Sequence, residues 1–252
     1  MIPVNRGITL FPVCSGKMKV MPFVNVAALF LLLFAVRSFS KEKLYVFYPT
    51  TERPRAIQDK MEKIINGTSV TVFGRHCDFI ARIATDPPDA ILTKPLLLMH
   101  MENFAVRLTG VRKGRSGESY VLLSVKNSVE ITSVNSNTVI GVVDVFGRTG
   151  LKTFMGQFFS EEPRIKRVTK VEDLLPLLSF NMAAAILIED FFIDYFTSTS
   201  QLPFQIVRFD ESKYGIIALG VNRNGSNAET ILNTLKNNDG NIGALFGLDS
   251  WK

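Results

Sequence analysis

Residues 44–73 read LYVFYPTTERPRAIQDKMEKIINGTSVTVF, and this stretch decides the fold class. LYVFYP at 44–49 is a short apolar run stopped by Pro49, which has no N–H to give to a strand ladder, so it reads as a buried strand. TERPRAIQDKMEKIING at 51–67 spaces Ile57, Met61, Ile64 and Ile65 along one helical face, with Thr50 or Thr51 able to cap its start and Gly67 closing it. SVTVF at 69–73 is the next strand. Downstream, HCDFIARIATD at 76–86 predicts a short helix, and DAILTKP at 89–95 predicts a third strand ended by Pro95. A β-α-β-α-β order places the strands in a mostly parallel sheet covered by helices.

The middle of the chain breaks this rhythm. FAVRLTGVRKG at 104–114 and ESYVLLSVKN at 118–127 are strand-like runs around a glycine-bearing turn, the pattern of a hairpin. A second alternation follows. TVIGVVDVF at 138–146, RIKRVT at 164–169, AAAILIE at 183–189 and FQIVRF at 204–209 read as strands. GLKTFMGQFF at 150–159, VEDLLPLLSF at 171–180 and DFFIDYF at 190–196 read as helices between them. YGIIALGVN at 214–222 returns as a strand, and Ser226 opens a last helix, NAETILNTLKNN. Periodicity alone leaves two α/β lobes around a cleft and one sheet with an antiparallel edge equally open.

The first 40 residues differ in kind. They hold Arg6, Lys17, Lys19 and Arg37, no acidic residue, and an uncharged run of 17 residues at 20–36. Spanning a bilayer takes about 20 apolar residues. A basic start, a short apolar core and the small residues Ser38 and Ser40 fit a signal peptide over 1–40 that is cut after Ser40, with an uncleaved N-terminal anchor as the alternative. The segment before Lys17 is long for such a leader, so Met18 or Met21 are candidate starts.

Removing the leader changes the charge argument. The whole chain is +6, but residues 41–252 carry 25 basic and 23 acidic side chains. Nucleic-acid binding needs a concentrated basic face, and the cluster Arg107, Arg112, Lys113 and Arg115 reads instead as a solvated turn. Cys14 leaves with the leader and Cys77 stands alone, so no internal disulfide is expected. Cys77 beside His76 has no third member that would make it a nucleophile, and His76 with His100 is too little for a metal centre. Asp144, Glu189 and Asp190 are acids without a complementary base or nucleophile, so no enzyme, cofactor or metal is expected.

The order of motifs resembles a type 2 periplasmic solute-binding protein, nearest the compact phosphate/phosphonate-binding branch. The resemblance rests on LYVFYPTTE at 44–52, DAILTKP at 89–95, SYVLLSVKN at 119–127, VIGVVDVFGRTGLKTF at 139–154, VTKVEDLLPLLSFNMAAAILIEDFF at 168–192 and YGIIALGVNRNG at 214–225. It implies an α/β fold of two lobes, 41–105 with 210–252 and 106–209. A small polar or anionic ligand would lie between them at the C-terminal ends of strands, where open α/β sheets place ligands in general. On this basis the candidate ligand contacts are Tyr48, Thr50, Thr51, Thr93, Lys94, Arg148, Thr149, Gly150 and Glu189. Within FGRTG at 146–150 the N–H groups of a helix start favour an anion, and Arg148 adds a planar donor set; the alternative is a cap and a solvated arginine. The resemblance further implies a monomer in the periplasm that serves an ABC permease. A sensory or accessory module signalling to a membrane partner is the alternative, because one scaffold carries many functions; an exported enzyme of unknown class is a further one.

The leader makes a direct prediction. N-terminal sequencing of the exported protein should begin near Lys41, and a mature product that retains residues 20–36 would replace the signal peptide with an anchor.

Overall fold

A computed structural model describes residues 41–209, 214–225 and 227–252. The signal-peptide expectation and the helix-opening role of Ser226 therefore lie outside the described residues. Among these residues, no helix is long and apolar enough to cross a membrane.

The strands form two separate sheets. The first contains β1 (Lys43–Phe47), β2 (Ser69–Val72), β3 (Ala90–Thr93), β4 (Phe104–Val111), β12 (Ala218–Asn222) and β13 (Ser250–Trp251), in the order β13-β4-β12-β3-β1-β2. The second contains β6 (Tyr120–Val125), β7 (Val139–Val143), β8 (Arg164–Val168), β9 (Ala185–Glu189) and β10 (Phe204–Arg208), in the order β10-β6-β9-β7-β8. In each sheet a parallel trio continues into antiparallel strands: β2-β1-β3 meets β12, and β8-β7-β9 meets β6. The short strands β5 (Gly117–Glu118) and β11 (Tyr214–Gly215) pair antiparallel where the chain passes between the sheets.

Eight α-helices are described: α1 (Pro54–Ile64), α2 (His76–Thr85), α3 (Pro95–Leu98), α4 (Gly147–Met155), α5 (Leu174–Ser179), α6 (Ile193–Thr199), α7 (Ala228–Asn237) and α8 (Asp239–Leu245). Strand alternation explains how they pack. Leu44 and Val46 of β1 point to a core with Ile57 and Met61 of α1, whereas Tyr45 and Phe47 point to a core with Phe79 of α2. In β9, Ala185 and Leu187 join Leu151 and Phe154 of α4, while Ile186 and Ile188 join Leu174 and Leu177 of α5. Burial on both faces is why these central strands are apolar without interruption.

Three expectations are corrected. The runs at 104–114 and 118–127 are not a hairpin: β4 pairs with β12 and β13, and β6 pairs with β9 and β10. A local apolar pattern cannot say which distant strand it will meet. Residues 106–111, assigned from sequence to the second lobe, belong to β4 of the first sheet, and the crossing begins after Val111. The helix expected at 150–159 begins at Gly147, whose φ of +70° lets the chain turn into its first residue.

Phe79 tests this packing. It is fully buried, stacks on Phe47 at 5.1 Å and meets Phe73 edge-on at 5.5 Å. Phe79→Ala should cost about 3–5 kcal/mol of unfolding free energy, measured by urea titration followed by circular dichroism.

Candidate functional site

The strand ends of the two sheets bring a polar cluster together between the lobes. Tyr48 follows β1, Lys94 follows β3, Arg112 follows β4, Glu118 lies in β5, and Glu189 ends β9. All five are buried. Lys94 Nζ lies 2.5 Å from Glu189 Oε1, and these side chains are only 3% and 4% exposed, so the pair is shut off from water. Lys94 Nζ has no aligned hydrogen bond even so. Charge attraction at this range does not depend on alignment. The Tyr48 hydroxyl donates to Glu189 Oε2 at 3.2 Å, and its ring lies 4.7 Å from Lys94 Nζ.

Arg112 completes the cluster on the crossing side. One terminal nitrogen donates to both Glu118 oxygens at 3.1 and 2.8 Å. The other donates to the Phe246 carbonyl at 2.7 Å, and Nε donates to the Gly247 carbonyl at 2.9 Å. Its guanidinium also lies 3.8 Å from the centre of the Phe191 ring, which comes from the second lobe. Gly247 has a φ of +64°, and a Cβ there would come within 2.7 Å of that ring. Phe191 is therefore seated on bare backbone.

Most of the expected contacts separate into different places. Thr93 is fully buried, but its hydroxyl donates to the Phe47 carbonyl at 2.6 Å, so its role is to tie two strands. Tyr48 and Thr50 line a groove of about 480 Å³ between the lobes, with Arg53, Arg75, Thr169 and Lys170 around them. Thr149 and Gly150 line a different groove of about 570 Å³, walled mainly by Ile80, Ile83, Leu96 and Met101. Thr51 lies in a third, of about 390 Å³, beside Phe191 and Gly247. Arg148 is exposed and lines none of these three.

The shared space expected for Tyr48, Thr50, Thr93, Arg148 and Thr149 is thus not formed, for a packing reason. Val145 joins the core of Phe47 and Phe79, Phe146 packs against it, and the His76 ring closes on Gly147. These residues fill the space between the two groove systems. Burial pushes the His76 imidazole below its ordinary value, with Asp144 opposing. Beside Glu189 a cavity of about 30 Å³ remains, lined by Pro49, Val145 and Phe146 among others. That is room for about one or two water molecules.

Sequence reasoning missed Arg112 and Glu118, placing the first in a solvated turn. A usable signal was present: opposite charges six residues apart across a turn that contains Gly114, which spans the Arg112–Arg115 bridge.

No protein-family model matches the sequence, and no curated protein does. Solved structures do. An amino acid ABC transporter substrate-binding protein from Streptococcus pneumoniae, bound to L-arginine, is 13% identical with a TM-score of 0.56, over 82% of this chain and 94% of that one. A putative L-cystine ABC transporter protein from Listeria monocytogenes is 12% identical with a TM-score of 0.56, over 84% and 98%. The VFT2 domain of BvgS from Bordetella pertussis is 12% identical with a TM-score of 0.54, over 81% and 91%. Likeness at this level of identity is a likeness of fold. The fold is that of the two-lobed, type 2 periplasmic binding proteins.

The buried acid supplies a pH prediction. Burial and, next, the charge of Glu189 push the Glu118 carboxyl up to about 8, with Lys94 and Arg112 pulling it down. The contact of both oxygens with Arg112 suits the ionised form, and burial, the larger effect, suits the neutral one. A carboxyl raised in the fold binds its proton more tightly there than in the unfolded chain. Its contribution to stability is complete below the ordinary value of 4.5 and is lost as pH rises through about 8. The thermal midpoint should therefore fall between about pH 5 and pH 8, and Glu118→Gln should flatten that slope. Equal slopes in the two proteins would remove Glu118 as its source.

Proposed function

We propose that this chain is an exported solute-binding protein, not an enzyme, that holds a small carboxylate-bearing solute of the amino acid class between its lobes and delivers it to an ABC permease. The observation that carries this reading is the groove of about 480 Å³ lined from both lobes. Its volume falls in the range of pockets that hold small molecules, roughly 300–1,000 Å³. The cavity beside Glu189, at about 30 Å³, is too small for such a ligand.

The chemistry of the groove supports the ligand class. The start of α1 lies in it; Pro54 has no N–H and the Ala56 N–H donates to the Arg53 carbonyl, which leaves the Arg55 N–H there without a side-chain cap. Arg53, Arg75 and Lys170 bring positive charge, and Glu52 and Glu172 bring negative charge. Arg75 is partly engaged, with Nε 2.6 Å from Asp78, and Lys170 lies 3.6 Å from Glu172. Such mixed charge beside a helix start suits the carboxylate and ammonium of a zwitterion. Two of the fold neighbours are described as amino acid or cystine transport proteins, which draws the ligand toward amino acids rather than phosphate or phosphonate. The periplasm and the permease enter this reading through the leader and those same neighbours.

Titration calorimetry of the protein with a panel of amino acids tests it. At least one should bind, and Arg53→Ala should weaken that binding by about tenfold, the low end for a charge-assisted hydrogen bond at an exposed site. No heat from any amino acid, or an affinity unchanged in Arg53→Ala, would take the solute out of this groove.

A further inference from the structure

We infer that the Lys94–Glu189 pair is a built-in lock between the lobes, in which the chain's own opposite charges hold the two lobes together and must separate before the lobes can part. The two side chains belong to different sheets and different lobes, since Lys94 follows β3 and Glu189 ends β9. They are joined across 2.5 Å, with 3% and 4% exposure. Tyr48 of the first lobe reaches across as well, donating to the second oxygen of Glu189. A cavity of about 30 Å³ lies on the second-lobe side of Glu189, closed off by Pro49 of the first lobe.

The direction of the effect follows from solvation. An ammonium has three donors, and Lys94 has Glu189 as its close charged partner and no aligned hydrogen bond. Each charge has the other as its closest opposite charge, within a buried network that also includes Glu118, Arg112 and Tyr48. Removing one partner deprives the other of that closest charge, and parting the lobes lets water reach it. Removing both leaves two neutral side chains of similar size, with no such drive. Buried pairs behave in this way: losing one member is costly, whereas replacing both is tolerated. The seating of Phe191 on Gly247 and Arg112 is a separate contact between the lobes that such variants leave untouched.

The inference goes beyond the solute-binding reading, and its test uses no solute. Small-angle X-ray scattering of the protein reads the separation of the lobes, and amide hydrogen exchange in β1 and β9 reads folding. Wild type should scatter as the closed form. Lys94→Met and Glu189→Gln should each shift the balance toward an open form by about a hundredfold or more, as expected for one lost member of a buried pair. The double variant should return to within about tenfold of wild type. If a single variant loses protection in β1 and β9, recovery of both protection and compactness in the double variant supports the lock equally. An open wild type, single variants that scatter like wild type, or a double variant as open or as unprotected as the singles would overturn it. Each of these outcomes leaves the amino acid titration to be judged separately.

Discussion

The arrangement of this molecule depends on opposite charges buried between two lobes. Lys94 and Glu189 meet at 2.5 Å with almost no exposure. Taking two ions out of water is expensive, and a buried pair is no reliable source of net stability. Its firmer consequence is geometric. Each charge has the other as its closest opposite charge, so the pair ties the end of β3 to the end of β9. Nearby, Arg112 does the same for the crossing segment by holding Glu118 and the carbonyls of Phe246 and Gly247. Four ionisable groups in one buried region, Lys94, Glu189, Arg112 and Glu118, thus join the two lobes and the crossing.

The fold makes this meeting possible because both sheets carry their parallel trios in the same sense relative to the cleft. Strands β1 and β3 end in Phe47 and Thr93, so the next residues, Tyr48 and Lys94, emerge toward the other lobe. Strand β9 ends in Glu189 and delivers it from the opposite side. The chain then passes between the sheets at two crossings that pair as β5 and β11. A short two-stranded link of this kind joins the lobes while adding little contact of its own.

Much of the architecture is legible in the sequence, and the limits are instructive. The segment 44–73 announces strand, helix and strand because Pro49, Gly67 and the spacing of Ile57 and Met61 are local signals. The division into two sheets is not local: β4 and β6 lie near each other in the chain, look like partners, and pair elsewhere. Tyr48, Lys94 and Glu189 are identifiable as residues just beyond or at strand ends, but their engagement with one another is a product of tertiary packing. Arg148 misleads for the opposite reason. Its helix-start motif is real, yet Val145, Phe146 and the His76–Gly147 contact take up the cleft face and leave the arginine exposed. Arg112 looks like one of several surface arginines until burial and Glu118 distinguish it.

Tyr48 links the charged centre to the groove beside it. Its ring lies over Lys94, its hydroxyl donates to Glu189, and the same residue forms part of the wall of the 480 Å³ groove. The groove has walls from both lobes, including Thr50 and Arg53 on one side and Thr169 and Lys170 on the other. Any change in lobe separation therefore changes both the pairing of Lys94 with Glu189 and the width of the groove. A solute that contacts both walls cannot bind equally well at every separation. It must favour some separations over others, and by that preference alone it shifts the balance between paired and parted charges. Linkage makes the effect reciprocal: the factor by which a bound solute shifts the balance between paired and parted charges equals the ratio of its affinities for the two states. On the proposed reading, the centre influences recognition without touching the solute, through Tyr48 and the two walls that a change of lobe separation would move.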